Sequence, residues 1–412
     1  MEMSNTKQIC LGCRSRLPEP FLNLGKLPLA NAYVSPEKAG SPEPTFPLAV
    51  SYCPVCHLVQ LTDTVSPEVM FREYLYYSSF SDSFLAHARE MAVELIRRFH
   101  LGTHSQILEI GSNDGYLLQH FSKRGIRSLG VEPAKKIATE AQRRGIPTLN
   151  RFFGVGAVEE ILQIFGKSDL IIGNNVLAHV PGINGFLQAV KACLRPWGIA
   201  VFEFPHLKEL LDKTEFDTIY HEHVFYLSLS AVKVLAERAG LRLFDVTRHR
   251  VHGGTLRVFL EKGRAQPLRP NVAAMMEEEV AAGLTSPQRY TSFSHDVVSL
   301  KQELLSMLYD LKASGKRIAA YGAPAKGNTL LNYCGIGSDL LEFIVDRSPY
   351  KQGLLTPGSR LPIRDPAYLV KEVPDYTLIL PWNLAREIIG QQKEYIRKGG
   401  NFIIPVPTPI MI

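Results

Sequence analysis

A chain of 412 residues is too long for one ordinary hydrophobic core, so we expect two or three domains. Its 45% hydrophobic and 21% charged residues exclude a fibrous or disordered protein. The net charge of +6 suits an anionic small ligand but gives no argument for nucleic acid. No apolar signal core or bilayer-length run is present, so we expect a cytoplasmic protein that binds no membrane.

Four of the six cysteines form two C-x-x-C pairs near the start of the chain. Two such turns brought together offer four thiolates in a tetrahedron, which is the closed arrangement of a structural zinc site. The segment between them is rich in proline and glycine, so a metal would compensate for its small core. Redox cysteines and coincidence are the alternatives, and the doubled pair in a reducing compartment favours zinc. The predicted ligands are Cys10, Cys13, Cys53 and Cys56.

An aromatic and hydroxyl-rich stretch, 71–84, follows this module. Phenol rings offer an apolar face and a hydrogen-bonding tip, so the stretch is a candidate sugar pocket, although a half-buried linker has the same composition. Its candidate binding residues are Tyr74, Tyr76, Tyr77 and Ser78. A helical period from Phe84 to Phe99 comes next.

The stretch 107–118, ILEIGSNDGYLL, predicts a strand, a glycine turn and a helix. Glycines allow close approach of a ligand, and a helix N-terminus offers unpaired N–H groups. The spacing is E-x-G-x-x-x-G from Glu109 to Gly115, which differs from the G-x-G-x-x-G of dinucleotide-binding proteins. A turn that only connects two elements is the alternative interpretation.

Further strands predict the rest of a doubly wound α/β domain. A strand over Arg127–Val131 ends in Glu132, about 20 residues past the glycine turn, where a carboxylate accepts hydrogen bonds from ribose hydroxyls. NAD and S-adenosylmethionine both carry such a ribose, so Glu132 does not choose between them. A strand over Asp169–Gly173 ends in Asn174-Asn175, and a helix (Phe186–Leu194) and a strand (Ile199–Phe204) follow.

Together these features resemble the class I S-adenosylmethionine-dependent methyltransferases. The resemblance rests on the glycine turn, the acidic strand end, the Asn-Asn strand end and a Leu-Arg-Pro-x-Gly turn at 194–198. It implies S-adenosylmethionine as cofactor. The residues that it implies for cofactor binding are Glu109, Gly111, Asn113, Asp114, Gly115, Glu132, Asn174 and Asn175.

The segment Tyr220-His221-Glu222-His223 places two histidines and a glutamate within four residues, which could form a metal site. Its spacing is not that of the H-E-x-x-H metal motif, and in an extended segment His221 and His223 would share one face. Polar loop residues are the alternative. A helix (Ser230–Ala239) follows, and then strands over Leu241–Thr247 and Leu256–Leu260 flank a turn that begins with His252.

A second α/β unit is predicted near the end of the chain. Helices over 272–282 and 291–314 lead to a strand, Ile318–Tyr321, and to the turn Gly322–Asn328, with a helix expected from Thr329. A strand over 341–345 ends in Asp346, and strands follow at 377–380 and 402–404. A lysine in such a turn suits a diphosphate, whereas a domain that only packs would not need it. The candidate ligand residues are Lys326, Asn328 and Trp382.

The combined motifs resemble the nucleotide-sugar C-methyltransferases of deoxysugar biosynthesis, over essentially the whole chain. That family carries a four-cysteine zinc module, a Y-H-E-H segment and an H-G-G turn, matched here by Tyr220–His223 and His252–Gly254. The resemblance implies an α/β fold: a zinc-binding module (1–78), a class I methyltransferase domain (79–268) and a second Rossmann-like domain (269–412). It also implies C-methylation at carbon 3 of a dTDP- or GDP-linked 4-keto sugar.

Carbon methylation of this kind requires a base near neutral pKa and donors for an enolate oxygen. We expect His223 to be the base, with Glu222 orienting it or another group. Tyr220 and His179 are candidates for stabilising the enolate or relaying the proton, and His179 is the alternative base. An O- or N-methyltransferase and a non-catalytic zinc-knuckle protein are the alternative functions. We expect a monomer or a weak homodimer.

Overall fold

The computed structural model describes residues 8–66, 68, 70, 79, 82–251, 253–263 and 265–412. Three β-sheets organise this part of the chain. None of its helices is both long and apolar enough to cross a bilayer.

The N-terminal sheet is antiparallel and is built around the cysteine turns. Its first three strands are β1 (Leu22–Pro28), β2 (Thr45–Tyr52) and β3 (Val59–Leu61). The fourth strand, Phe225–Tyr226, comes from a distant part of the chain and pairs with β3. The N-terminal module therefore completes its sheet with a strand that directly follows the Tyr220–His223 segment.

A seven-stranded sheet forms the middle of the protein. Its strands are β4 (Gln106–Ile110), β5 (Arg127–Val131), β6 (Thr148–Leu149), β7 (Ser168–Asn174), β8 (Leu194–Pro205), β10 (Arg242–His249) and β11 (Thr255–Glu261). The label β9 is given to Phe225–Tyr226 of the N-terminal sheet. The order is β10-β11-β8-β7-β4-β5-β6, in which β11 alone runs antiparallel to its neighbours. Apolar clusters cover both faces, which is why the central strands are apolar without alternation.

Helices connect these strands as crossovers. In chain order they are α1 (Asp82–Arg98), α2 (Gln119–Ser122), α3 (Lys135–Arg143), α4 (Val158–Ile164), α5 (Ile183–Cys193), α6 (Leu207–Asp212) and α7 (Leu229–Arg238). The carboxyl ends of β4, β5 and β7 meet at one edge of the sheet, where a doubly wound fold binds its ligand.

The C-terminal sheet has six strands in the order β14-β13-β12-β15-β16-β17. Two long helices, α8 (Pro270–Ala281) and α9 (Pro287–Ala313), precede it. The strands are β12 (Ile318–Tyr321), β13 (Ile344–Val345), β14 (Ile363–Arg364), β15 (Tyr376–Ile379), β16 (Asn401–Ile404) and β17 (Ile410–Met411). The helices among them are α10 (Ala325–Cys334), α11 (Ala367–Glu372), α12 (Ala385–Gln391) and α13 (Lys393–Arg397).

The α/β prediction is confirmed, and the structure corrects several element bounds. Helix α10 begins at Ala325 instead of Thr329, so Lys326 and Asn328 lie in its first turns and not in a loop. Pro324 precedes the helix with φ −78°, and a proline favours a helix start because its φ is already fixed. The predicted strand over 341–345 is shortened to Ile344–Val345.

The described residues of the N-terminal module share their apolar core with the other two domains. Its strands pack in one apolar cluster with α9 and the C-terminal sheet, including Leu22, Val50 and Leu304. Its cysteine turns pack in another cluster with helix α7 of the middle domain. The module therefore lies between the other two domains and contacts both.

Candidate active site and metal centre

The four predicted metal ligands converge in the structure. The Sγ atoms of Cys10 and Cys56 lie 3.5 Å apart, as do those of Cys13 and Cys53, and all four lie within 4.8 Å of one another. Four sulfur atoms at about 2.3 Å from a tetrahedral zinc lie about 3.8 Å apart, so this donor set fits the ion. The contact with Cys56 lowers the pKa of Cys10 to about 5, which favours a thiolate.

The glycine turn after β4 requires its two glycines. Gly111 and Gly115 adopt φ +64° and +80°, in the left-handed region that side chains disfavour. A Cβ atom on Gly115 would lie 2.7 Å from Ile146 Cγ1, and one on Gly111 would lie 2.9 Å from Val176 Cγ2. The turn is therefore fixed by backbone conformation and by space, as the sequence predicted.

Buried polar atoms without a protein partner gather around this turn. In the part of the chain that the structure describes, they include both carboxyl oxygens of Glu109 and single oxygens of Ser112, Asp114, Asn174 and Asn175. Unpaired buried polar atoms are costly, so such a cluster indicates a polar ligand. Burial, with the charges of Glu132 and Asp114, raises the pKa of Glu109 well above its usual value. These residues fit a zwitterionic, hydroxylated cofactor such as S-adenosylmethionine.

Glu132 closes the same turn at the end of β5. Its carboxylate accepts hydrogen bonds from the backbone N–H groups of Asn113 (3.0 Å) and Ala134 (2.8 Å). Two donors leave further lone pairs for ribose hydroxyls. Burial raises the pKa of Glu132 to about 7 despite these bonds.

The segment Tyr220–His223 forms a tight turn, closed by a hydrogen bond from His223 N to Tyr220 O (2.9 Å). His223 Nδ1 lies 2.9 Å from the carbonyl oxygen of Thr218, so it carries the proton in the neutral ring. His223 Nε2 is then an acceptor, and the Tyr220 hydroxyl donates to it at 2.8 Å. The backbone N–H of Val224 donates to Ala178 O (2.7 Å), which ties this turn to the segment after β7.

The turn places its two histidines in different surroundings, because the segment is not extended. His221 Nε2 lies 3.2 Å from the Phe46 carbonyl oxygen of the N-terminal sheet, whereas the His223 ring lies 4.9 Å from that of His179. The expectation that His221 and His223 share one face holds only for an extended strand and is wrong here. Burial lowers the pKa of His179 to about 4, and its ring donates a hydrogen bond to the backbone carbonyl of Glu222.

Glu222 is only 5% exposed and contacts the N-terminal module. Asn31 Nδ2 donates a hydrogen bond of 2.6 Å to Glu222 Oε1. Burial raises the pKa of Glu222 to about 7, and the bond from Asn31 acts in the opposite direction.

Lys326 lies among aromatic and acidic side chains at the second glycine turn. Its ammonium lies 4.0 Å from the Trp382 ring centroid and donates to the side chain of Asn383. Trp382 Nε1 donates to Asp217 Oδ2 at 2.7 Å. Burial raises the pKa of Asp217 to about 6 and that of Glu215 to about 7, and both carboxylates favour the charged form of Lys326.

Other groups at this turn bind the N-terminal module. Asn328 is fully buried and donates to the Ala30 carbonyl oxygen (2.7 Å). The Tyr33 hydroxyl and Lys351 Nζ both donate to the Ala323 carbonyl oxygen, at 2.5 and 2.8 Å. The bonds of Asn328 and Tyr33 hold the two domains together, whereas that of Lys351 lies within the C-terminal domain. A contact between Asn328 and substrate stays a prediction.

The remaining predicted ligand residues, Tyr74, Tyr76, Tyr77, Ser78 and His252, lie outside the described residues. The structure also brings to the two candidate turns residues that the sequence analysis did not single out, namely Asn31, Tyr33, Glu215, Asp217 and Lys351. They match no motif of their own, and Asn31 and Tyr33 lie 191 and 290 residues from the groups that they contact, so no local signal identified them.

Comparisons with known proteins cover nearly the whole chain. Three family descriptions match: a putative zinc-binding domain (residues 10–71), a methyltransferase domain (84–246) and a C-methyltransferase C-terminal domain (250–407). The C-methyltransferase NovU of Streptomyces niveus is 38% identical over 95% of this chain and 93% of its own. Among solved structures, a methyltransferase from Clostridium acetobutylicum has a TM-score of 0.36 at 13% identity, covering 43% of this chain and 92% of its own.

Proposed function

Since the chain belongs to the C-methyltransferase family and is an S-adenosylmethionine-dependent methyltransferase, we propose that it methylates carbon 3 of a nucleotide-linked 4-keto deoxysugar. The observation that carries this proposal is the Tyr220–His223 pair, in which Nε2 of the neutral His223 ring is an acceptor. Carbon is not nucleophilic until a proton is removed, so C-methylation needs such a base. Methylation of a hydroxyl needs no carbon acid.

The cofactor-binding residues of the proposal are those around the first glycine turn. S-Adenosylmethionine, when bound, supplies an electrophilic methyl group. We assign the ribose to Glu132, whose two backbone hydrogen bonds fix the carboxylate in place. The unpartnered oxygens of Glu109, Asp114 and Asn174 are assigned to the polar groups of the cofactor.

In the proposed mechanism, His223 removes the proton at carbon 3. Thr218 fixes the tautomer, so Nε2 receives the proton, either directly or through the Tyr220 hydroxyl. In the relayed form the Tyr220 oxygen takes the substrate proton while its own proton moves to His223. His179 is the weaker base, because burial lowers its pKa to about 4. As a neutral ring it suits a hydrogen-bonding role toward the enolate.

The nucleotide part of the substrate is assigned to the C-terminal domain (269–412). Lys326 lies over the Trp382 ring in this domain, and Lys351 donates to the Ala323 carbonyl of the turn before Lys326. A dTDP or GDP diphosphate is the anion that these lysines suit. Zinc on the four cysteines is proposed as structural, because four thiolates leave no open position for catalysis.

Proton exchange tests the base separately from methyl transfer. The substrates are dTDP- and GDP-linked 4-keto sugars in deuterated buffer without cofactor. Proton NMR would follow the loss of the signal of the proton on carbon 3, next to the keto group. We expect exchange by the parent enzyme, and a fall of about 10²–10⁴-fold in both exchange and methylation in His223→Asn. His179→Asn is the matched variant; it keeps an N–H donor toward the enolate and should lose much less exchange than His223→Asn. Exchange at the parent rate in His223→Asn would exclude it as the base.

Methyl transfer to a panel of acceptors tests the reaction class. Labelled S-adenosylmethionine and the same keto sugars should give a product with the label on carbon. Label on oxygen or nitrogen, or transfer only to acceptors without a ketone, would contradict the proposed function.

A further inference from the structure

One loop of the N-terminal module contacts both of the other domains. Within the five residues 29–33, the Ala30 carbonyl accepts a hydrogen bond from Asn328 and the Tyr33 hydroxyl donates to Ala323, both in the C-terminal domain. Between these two anchors, Asn31 donates to Glu222 in the middle domain. The loop is therefore held on both sides of Asn31 at the Tyr220–His223 turn.

We propose that Asn31 is a positioning residue for the methyl-transfer site, and that it orients the Glu222 carboxyl group so that Oε2 faces the substrate. This inference rests on the proposed function. It assigns to the N-terminal module a direct part in the reaction site, in addition to its metal.

The geometry of the contact supports this role. Asn31 occupies one oxygen, Oε1, at 2.6 Å, which is a short bond for an amide and a carboxyl group. Among the described residues, the other oxygen has no protein partner, although Glu222 is nearly buried. A carboxyl group held by one oxygen has its remaining oxygen fixed in direction. When Glu222 is protonated, its proton belongs on Oε2, since Oε1 already accepts from Asn31.

Neighbouring contacts fix the same turn from the opposite side. The Glu222 backbone carbonyl accepts from the His179 ring, whose centroid lies 4.9 Å from that of His223. A displaced Glu222 would therefore disturb the surroundings of the base as well as its own carboxyl group. Removing the donor of Asn31 should also raise the pKa of Glu222, because that bond favours the carboxylate.

A double-mutant cycle in the full-length, metal-loaded enzyme tests the pairing. Asn31→Leu removes the donor with little change in volume, and we expect kcat to fall about tenfold to a hundredfold, with the affinity for S-adenosylmethionine unchanged. Asn31→Leu added to Glu222→Gln should cost little more than Glu222→Gln alone, because the two residues act through one contact. If the fold-losses in kcat of the two single variants multiply in the double variant, the proposal is overturned.

Titration of Glu222 gives a readout that does not depend on activity. Carbon-13 NMR of glutamate-labelled protein, with the Glu222→Gln spectrum subtracted, reports the pH at the midpoint of the titration of this carboxyl group. We expect the midpoint to move upward in Asn31→Leu and to stay in place in Tyr33→Phe, which cuts a neighbouring bond of the same loop. If Asn31→Leu does not fold, Asn31→Ser gives the same test with a smaller side chain. An unmoved midpoint would overturn the proposal.

These readouts separate the two levels of inference. An upward midpoint in an enzyme that methylates no keto sugar would leave the contact between Asn31 and Glu222 established and would reject the proposed substrate. An active parent enzyme with an unmoved midpoint and an unchanged kcat in Asn31→Leu would reject the role of Asn31 alone.

Discussion

The two glycine turns of this protein have the same local pattern and different surroundings. Each follows a parallel strand, precedes a helix and faces an acidic residue at the end of the next strand, Glu132 in one and Asp346 in the other. Asp346 accepts from Ala323 N at 2.7 Å, much as Glu132 accepts from Asn113 N at 3.0 Å. Sequence alone therefore predicts ligand binding at both.

The difference lies in what satisfies the polar groups around each turn. At the first turn, buried oxygens of Glu109 and Ser112 have no partner among the described residues. At the second, the Ala323 carbonyl accepts from the Tyr33 hydroxyl and Lys351, and Asn328 Nδ2 donates to Ala30, while Asn328 Oδ1 has no partner among the described residues. The first turn leaves several buried polar oxygens for a ligand, while part of the second joins the C-terminal domain to the N-terminal module. Two glycine turns with one local pattern therefore differ in how many of their polar groups remain for a ligand.

The largest expected effect comes from removing the zinc proposed for the N-terminal module, the module whose loop 29–33 contacts the second turn. Cys53→Ser should lower zinc content to well below one per chain, because structural zinc contributes about 10–16 kcal/mol to folding such a module. Metal analysis and thermal melting measure this. S-Adenosylmethionine affinity should survive, since the first turn lies in the middle domain. Full metal loading and unchanged melting would reject the zinc site.

A matched pair of glycine variants tests the roles of the two turns separately. Gly115→Ala and Gly322→Ala each add a Cβ at positive φ, within 2.7 Å of Ile146 and 2.5 Å of Pro381 respectively. Each should lower the free energy of unfolding by about 2–4 kcal/mol through strain and overpacking. Calorimetry should show weaker S-adenosylmethionine binding only for Gly115→Ala. Equal loss of binding in both variants would contradict the comparison.

The acidic residues at the two strand ends, Glu132 and Asp346, should also differ in their effect on S-adenosylmethionine binding. Glu132→Ala removes the proposed ribose contact, so S-adenosylmethionine binding should weaken by about 1–3 kcal/mol. Asp346→Ala removes only bonds within its own domain, from Ala323 and Ser348, and should leave that affinity unchanged. Calorimetric titration of both variants measures this, and equal affinity of Glu132→Ala and parent would place the ribose elsewhere.

The pH dependence of stability should also distinguish the two turns. Burial raises the pKa of Glu132 and Glu215 to about 7 and that of Asp217 to about 6. A carboxyl group whose pKa is raised in the folded state stabilises the fold fully below its pKa in the unfolded chain, which is about 4. This stabilisation, on the order of 1–3 kcal/mol per group, is lost as pH rises to about 7. Denaturant unfolding from pH 5 to 8 should show the decline.

Single variants assign that decline to its groups. Glu132→Gln should flatten the dependence of the free energy of unfolding on pH. In the parent protein, S-adenosylmethionine should bind more tightly above pH 7, where the Glu132 carboxylate accepts best from ribose. Lys326→Met should steepen the profile, because Lys326 lowers the pKa of Glu215 and Asp217. A flat profile in the parent protein would contradict all three shifts.

The smallest effect is expected at Lys326 itself. Lys326→Met should raise the KM for the sugar nucleotide several-fold, with little change in S-adenosylmethionine affinity. The loss is modest because Asp217 and Glu215 already offset much of the charge. Steady-state kinetics measure it, and Lys316→Met, a variant of an exposed lysine paired with Asp375, is the control. An unchanged KM in Lys326→Met would remove the diphosphate from this turn.

Much of the site was predictable because its signals are local. The paired C-x-x-C spacing, the glycines of the first turn and the acidic residue after β5 are short-range features whose chemistry depends on residue type and spacing. The start of α10 was missed because Lys326 and Asn328 suggested a loop, while Pro324 already favoured a helix.

The sequence by itself identified the four cysteines that converge, the first glycine turn and the main strands and helices of the two α/β domains, because periodicity and spacing act over a few residues. Only the tertiary structure decided that Asn31 contacts Glu222, that Tyr33 contacts Ala323 and that Asn328 binds Ala30, pairs separated by 191, 290 and 298 residues. Such contacts are fixed by the packing of whole domains, since each side chain alone satisfies its hydrogen bonds equally well in water.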